Sequence, residues 1–353
     1  MADNAQTSGA GGNQPKASGS GSTQSAKDKS RAASRPVGSS APGKGGNTPR
    51  PGGRPGGAAK APNGSRRGVL IAWGGVALVV VVIAVLFIVK ATSSTTADPS
   101  FTPVTPAPTE VVRQVTTVPT SAWDKVGVTS KYPVAKPTVL TGQPPMVIDG
   151  KSPAMIYYGA DYCPYCAAER WAITASLARF GTWGNLQITA SSHTDVDATT
   201  HTFSFHGVTL NSPYITFRGI EQFTNVPVAG SPGTYTKLQD PTKEEGKVLS
   251  TYSSSKYLPN GSTSGGISFP FVDVNNGVLI SGASYDPQLL AGLSWTDIAG
   301  GLSDPTNPVT QAILATGNYV SAAVCKATKG QPGSVCTSSG VQAAAKAAGI
   351  TFG

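Results

Sequence analysis

The sequence predicts an α/β domain over residues 118–353, preceded by one membrane-spanning helix and a long polar tail. Three observations predict it. Residues 68–89 form an uncharged, strongly apolar run of 22, and about 20 such residues cross a hydrocarbon core as a helix. Residues 154–158 are β-prone and lead through a short link into Cys163-Pro164-Tyr165-Cys166, after which apolar residues recur at helical spacing. Residues 271–274 and 278–281 flank Asn276-Gly277, the signature of a hairpin turn, and helix-start signals come after them.

Residues 1–67 come first. They are rich in Gly, Ser, Pro and Ala and hold almost no large apolar side chains. Such a segment buries too little surface to offset its ordering entropy, so disorder is expected. The formal charge of +9 belongs to this tail, which carries 11 basic and 2 acidic residues. The remainder carries 16 of each. No aromatic residues interleave the tail's charges, so a solvated segment near anionic lipid is expected rather than a nucleic-acid partner.

The run 68–89 is next. Arg66 and Arg67 precede it and only Lys90 follows. That asymmetry places the N-terminus in the cytoplasm and the C-terminal domain outside the cytoplasmic membrane, as a single-pass protein. Both the polar lead and the apolar run are too long for an ordinary cleaved signal. Residues 65–70, Ser-Arg-Arg-Gly-Val-Leu, resemble a twin-arginine signal with Val69 in place of the usual Phe. An uncleaved anchor remains the expectation. Residues 90–117, rich in Thr and Pro, read as a linker that holds the domain off the membrane. All four cysteines lie beyond it, on the oxidising side, where pairing is expected.

Within the domain, 163–180 reads as a helix. Cys166, Ile173, Leu177 and Phe180 share its inner face, and Cys163 lies at its tip, open to solvent. Residues 186–191 read as the next strand, and 201–205 and 214–217 as further strands. A helix from Asp240-Pro241 runs to about Tyr252. Asp286-Pro287 starts a helix to about Ala299, Asn307-Pro308 one to Cys325, and an Ala-rich helix occupies about 341–348.

Two thiols three positions apart at a helix start point to thiol–disulfide chemistry. The unpaired N–H groups and dipole of the helix favour thiolate at the first sulfur. Cys163 is therefore the candidate nucleophile and Cys166 the resolving thiol. The bland alternative is a structural disulfide. A zinc site would need four ligands, and Cys325, Cys336, His193, His201 and His206 show no characteristic spacing. Haem attachment is excluded by Ala167 at the position after the second cysteine. Neither metal nor organic cofactor is expected. Cys325 and Cys336 bracket a Gly- and Pro-bearing loop between two helices and read as a structural disulfide, with a second redox pair as the sharper alternative. The sequence Ser253-x-x-Lys256 lacks the partner motifs of a nucleophilic serine. Tyr162 and Tyr165 flank the motif and are candidates to face substrate.

The order strand, Cys-x-x-Cys, helix, then Phe269-Pro270-Phe271 entering a hairpin with a following helix, resembles the thioredoxin superfamily. The resemblance implies a thioredoxin-like fold with Pro270 as a cis-proline that, with Phe269, presents backbone to substrate beside the disulfide. It also implies a large insertion at about 192–265, between active-site helix and cis-proline loop, and a C-terminal helical extension at about 301–353. Pro164-Tyr165 is the dipeptide typical of glutaredoxins. Tyr157 stands where thioredoxins often carry a buried Asp, so Asp161 or Glu169 would have to serve proton transfer. The run from Gly159 to Trp171, with Arg179-Phe180-Gly181, Thr202-Phe203-Ser204-Phe205 and the late cysteine pair, is similar to actinobacterial and archaeal thioredoxin-like proteins of a domain family of unknown function.

These readings converge on a membrane-anchored thiol–disulfide oxidoreductase acting on cysteine-containing envelope or secreted proteins and reset by a membrane redox partner. A non-catalytic binding or assembly module, or a Cu(I)-binding dithiol chaperone, are the competing expectations.

Overall fold

A computed structural model describes residues 101–352, apart from Asn260, Ser262, Ser264 and Gly265. The expected tail and membrane run, residues 1–67 and 68–89, lie outside the described residues. Among the described residues, no helix is long and apolar enough to cross a membrane.

The chain enters with a short strand β1 (Thr105–Pro106), helices α1 (Thr109–Thr116) and α2 (Thr120–Val126), and an edge strand β2 (Thr138–Val139). Strand β3 (Ala154–Gly159) then leads into α3 (Pro164–Leu177). Six strands come next: β4 (Thr182–Gly184), β5 (Gln187–Ala190), β6 (His201–Ser204), β7 (Thr209–Asn211), β8 (Thr216–Glu221) and β9 (Phe223–Pro227). After β10 (Tyr235–Lys237) and α4 (Lys243–Tyr252) comes the hairpin β11 (Phe271–Val274) and β12 (Val278–Ser281). A 3₁₀ turn (Pro287–Leu290) and helices α5 (Trp295–Gly301), α6 (Pro308–Ala327), α7 (Gly333–Cys336) and α8 (Ser339–Ala348) complete it.

The fold is mixed α/β around a central mixed sheet of order β2-β12-β11-β3-β8. Strand β3 runs parallel to β8 and antiparallel to β11. All six residues of β3 are buried, so both faces of the sheet are covered. Alternation sorts them. Met155 and Tyr157 face α3 and the C-terminal helices, whereas Ile156 and Tyr158 face the core that includes Leu249 and Tyr252 of α4.

Helix α3 is buried on nearly every side because α6 packs across it and β6 lies against it. Helix α6 is likewise buried from Ala312 to Cys325, as expected of a helix with no polar stripe. A Cβ at Gly317 would come within 2.7 Å of the Trp123 ring and 3.3 Å of Ala172 O. A glycine there allows α6 to approach α2 and α3 closely.

Three expectations are corrected. The Thr/Pro-rich stretch 90–117 does not read as linker throughout: Val111 and Val115, four apart, are buried on α1, which packs against α5. Two buried valines on one helical face outweigh the polar composition. Second, the helix expected over 286–299 is two pieces. Gly292 takes φ +72°, and Ser294 forms a capping box with Asp297 that restarts the chain as α5. Third, the stretch 192–265 is not insertion throughout, since β8 within it is a strand of the central sheet. The strand expected at 186–191 forms, but in a separate antiparallel sheet of order β1-β5-β6. Asn225 ties that sheet to β9, its amide donating to Thr102 O, Ala190 O and Thr189 Oγ1.

Candidate functional site

Strand β3 ends at Gly159, and four residues later Cys163 is the N-cap of α3, with Pro164 at the first helical position. Proline suits that position because its missing N–H would have no partner there and its φ is already helical. The cap acceptor, usually an oxygen, is here sulfur: the Cys166 N–H donates to Cys163 Sγ at 3.4 Å. Both sulfurs are free thiols. The Cys166 thiol, hydrogen-bonded to Cys163, holds Cys163 below the ordinary thiol value against the opposing effect of burial. The Cys166 N–H and the Arg170 guanidinium act in the same direction. Burial, followed by the hydrogen bond and charge of Cys163, pushes Cys166 well above the ordinary value. The pair is thus asymmetric, with Cys163 the anionic member at intermediate pH.

Cys163 is not open to solvent as expected; it is only 6% exposed. Segments distant in the chain close over the motif. Tyr162 stacks on Tyr235 of β10 with centroids 4.0 Å apart, and Phe223 and Phe269 flank it at 6.3 and 6.4 Å. The Ser192 N–H donates to Tyr162 O. The exposed member of the motif is Tyr165, at 44%. A cleft of about 540 Å³ borders Tyr162, walled by Thr194, Asp195, Tyr235 and the turn after β9. Burial, and next the Cys163 sulfur, push the Tyr162 hydroxyl up to about 12.

The Phe269-Pro270 bond is cis. Phe271 pairs with Tyr158, so Phe269 and Pro270 lie at the end of the sheet from which the motif departs. The Phe269 ring is 5.1 Å from that of Tyr158.

The two candidate acids lie on different partners. Glu169 is fully buried on α3 and accepts from the Ser284 N–H and Oγ–H at 2.9 and 3.2 Å. It anchors the chain after β12 rather than bonding a cysteine, and burial pushes it up to about 7. Asp161 is buried with both carboxylate oxygens lacking a hydrogen bond and Arg170 Nη2 at 3.7 Å. Burial, then repulsion by Glu221, push it up to about 7.

Sequence reasoning missed the group that organises this region. Arg170 is fully buried, donates from Nε and Nη2 to both Glu221 carboxylate oxygens at 2.8 Å, and donates to Ala160 O. Glu221 also accepts the Phe205 N–H. A bidentate pair of this kind suits arginine's planar fork. Arg170 lies one helical turn after Cys166, so its face was legible. Glu221, 51 residues away on β8, carried no local signal.

Cys325 and Cys336 form a disulfide, with Cα atoms 5.6 Å apart, joining the ends of α6 and α7. The ring nitrogens of the three histidines meet protein partners: His193 with Thr102, His201 with Leu293 O, His206 with Gln239. Among the described residues, no group of three or more His, Cys, Asp and Glu side chains is arranged to hold a metal ion.

No curated protein and no solved structure matches the chain. A family model described as Domain of unknown function (DUF929) matches residues 143–326, more than half of the sequence and the whole of the Cys163 site, and the chain belongs to that family.

Proposed function

We propose that the chain is a membrane-anchored, extracytoplasmic thiol–disulfide oxidoreductase of thioredoxin-like fold that acts on envelope or secreted proteins. The observation that carries the reading is the divided environment of the pair: Cys163 Sγ caps α3 and is held low, while Cys166 is buried and held high. The strand–motif–helix order, the place of Phe269-Pro270 at the same end of the sheet and the cleft beside Tyr162 support it. The apolar run 68–89 supports the anchor.

In the oxidising direction a substrate thiolate attacks Cys163 Sγ of the disulfide form. A mixed disulfide forms, the Cys163–Cys166 bond breaks, and Cys166 leaves as thiolate and takes up a proton. A second substrate thiolate then attacks the substrate sulfur of the mixed disulfide. Substrate leaves oxidised and Cys163 as thiolate. The reductive direction is the reverse, with Cys166 resolving. A membrane thiol–disulfide partner resets the pair.

Trapping tests this. Cys166→Ser removes the resolving thiol but keeps a hydroxyl that can donate to Cys163. The full chain carrying it, expressed in its host and quenched with acid and alkylating agent, is expected to yield reducible adducts through Cys163. The near-complete burial of Cys163 favours a second reading, a binding module in which the pair is structural. Correctly placed, folded protein with no adducts would establish that reading instead.

A further inference from the structure

Within the redox reading, on which this inference rests, one buried side chain has no assigned part. Tyr157 is fully buried on the α3-facing side of β3. Its ring is held edge-on to Phe205 with centroids 4.9 Å apart and lies 5.7 Å from the Arg170 guanidinium carbon. Among the described residues its hydroxyl meets no partner at hydrogen-bond geometry. A buried hydroxyl left unpaired is costly, so its direction matters. It shares one small space with the Cys166 sulfur. A Cβ on Gly159 would collide with the Tyr157 hydroxyl and stand 2.9 Å from Cys166 Sγ. The missing side chain at Gly159 is what lets the two groups converge.

We infer that the Tyr157 hydroxyl donates a hydrogen bond to Cys166 Sγ as that sulfur becomes anionic. When a substrate thiolate attacks Cys163 Sγ, the new S–S bond forms there and the Cys163–Cys166 bond breaks. Its electron pair goes to Cys166 Sγ. In a site closed to water that charge has few donors. The hydroxyl supplies one without giving up its proton, and burial keeps it protonated. The thiolate later takes a proton from solvent. In the reverse direction the same hydrogen bond steadies the Cys166 thiolate before it attacks the mixed disulfide. The interaction is strongest while Cys166 is anionic, between the disulfide and the neutral dithiol, so the effect falls on rates and not on the equilibrium.

Tyr157→Phe tests it in the membrane-anchored full chain, with reduced and oxidised glutathione as probe. Reduction of the Cys163–Cys166 disulfide and its reoxidation are expected to slow together, each about tenfold. The equilibrium constant with glutathione should stay unchanged, and the melting temperature should not fall. A merely structural role would lower the melting temperature and leave the rates. Should Tyr157→Phe fold poorly, 3-fluorotyrosine in place of Tyr157, a stronger donor of nearly the same volume, is expected to accelerate both steps. Unchanged rates in a folded variant overturn the inference alone. A wild-type pair that forms no disulfide with glutathione overturns the redox reading and the inference with it.

Discussion

The two cysteine pairs of this domain have the same chemistry available and share one apolar core, yet sit differently within it. Cys325 and Cys336 close a short loop between two helices as a formed disulfide, fully buried in the apolar core they share with Cys163 and Cys166. Cys163 and Cys166 sit as free thiols at a helix start, beside Arg170, Glu221, Asp161 and Tyr157. The first pair is bonded and neither member caps a helix, whereas in the second Cys163 caps α3 and the buried Arg170 lies one turn beyond Cys166. Spacing alone does not separate the two pairs; position on the helix and the buried charge do.

The largest expected effect lies at the charged end of this contrast. Arg170→Met removes the cation from a fully buried ion pair and strands Glu221, which should cost about 3–5 kcal/mol. Chemical denaturation reads this directly. The double variant Arg170→Met/Glu221→Gln should recover part of the loss. In the single variant the Cys163 thiolate also loses a stabilising charge, so the midpoint of its alkylation against pH should rise.

At the other end, Cys325→Ser/Cys336→Ser should lower stability by about 2–3 kcal/mol. That corresponds to a fall in melting temperature of about 5–10 °C. The alkylation rate of Cys163 at a temperature where both proteins are folded should not change. A slowed Cys163 would tie the two pairs together and erase the contrast.

The smallest effect concerns the buried acids. Burial pushes Asp161, Glu169 and Asp273 each up to about 7. Their folded values lie above the unfolded ones, so the native state holds more protons than the unfolded chain between about pH 4 and 7. Stability from these groups is complete below that window and is lost as pH rises through it. The melting temperature should be higher at about pH 5 than at about pH 8. Glu169→Gln keeps an acceptor for Ser284 and removes one titrating group, so it should flatten that slope by on the order of 1 kcal/mol. Removing the Cys325–Cys336 bridge should shift the whole curve without changing its slope.

Much of this was legible in the chain because the signals are local. Strand β3, the start of α3, the hairpin at Asn276-Gly277 and the start of α6 rest on periodicity and cap residues within a few positions. Elsewhere local signals misled. The Thr and Pro around residues 109–116 masked two core valines. Asp286-Pro287 marked only a 3₁₀ turn, because Gly292 breaks the helix before Trp295.

Local patterns in the chain were enough to establish that a Cys-x-x-Cys pair opens a helix after a buried strand, that a second pair lies near the end, and that an apolar run of spanning length precedes both. How those parts behave was settled by tertiary packing. It buried Cys163, stacked Tyr162 on Tyr235, drew Glu221 from β8 onto Arg170, and brought Tyr157 beside Cys166. These are contacts between residues distant in the chain, or on opposite sides of one turn, and they depend on which faces pack together. Spacing along the sequence carries the period of a strand or helix, but not the identity of the side chain that arrives from across the sheet.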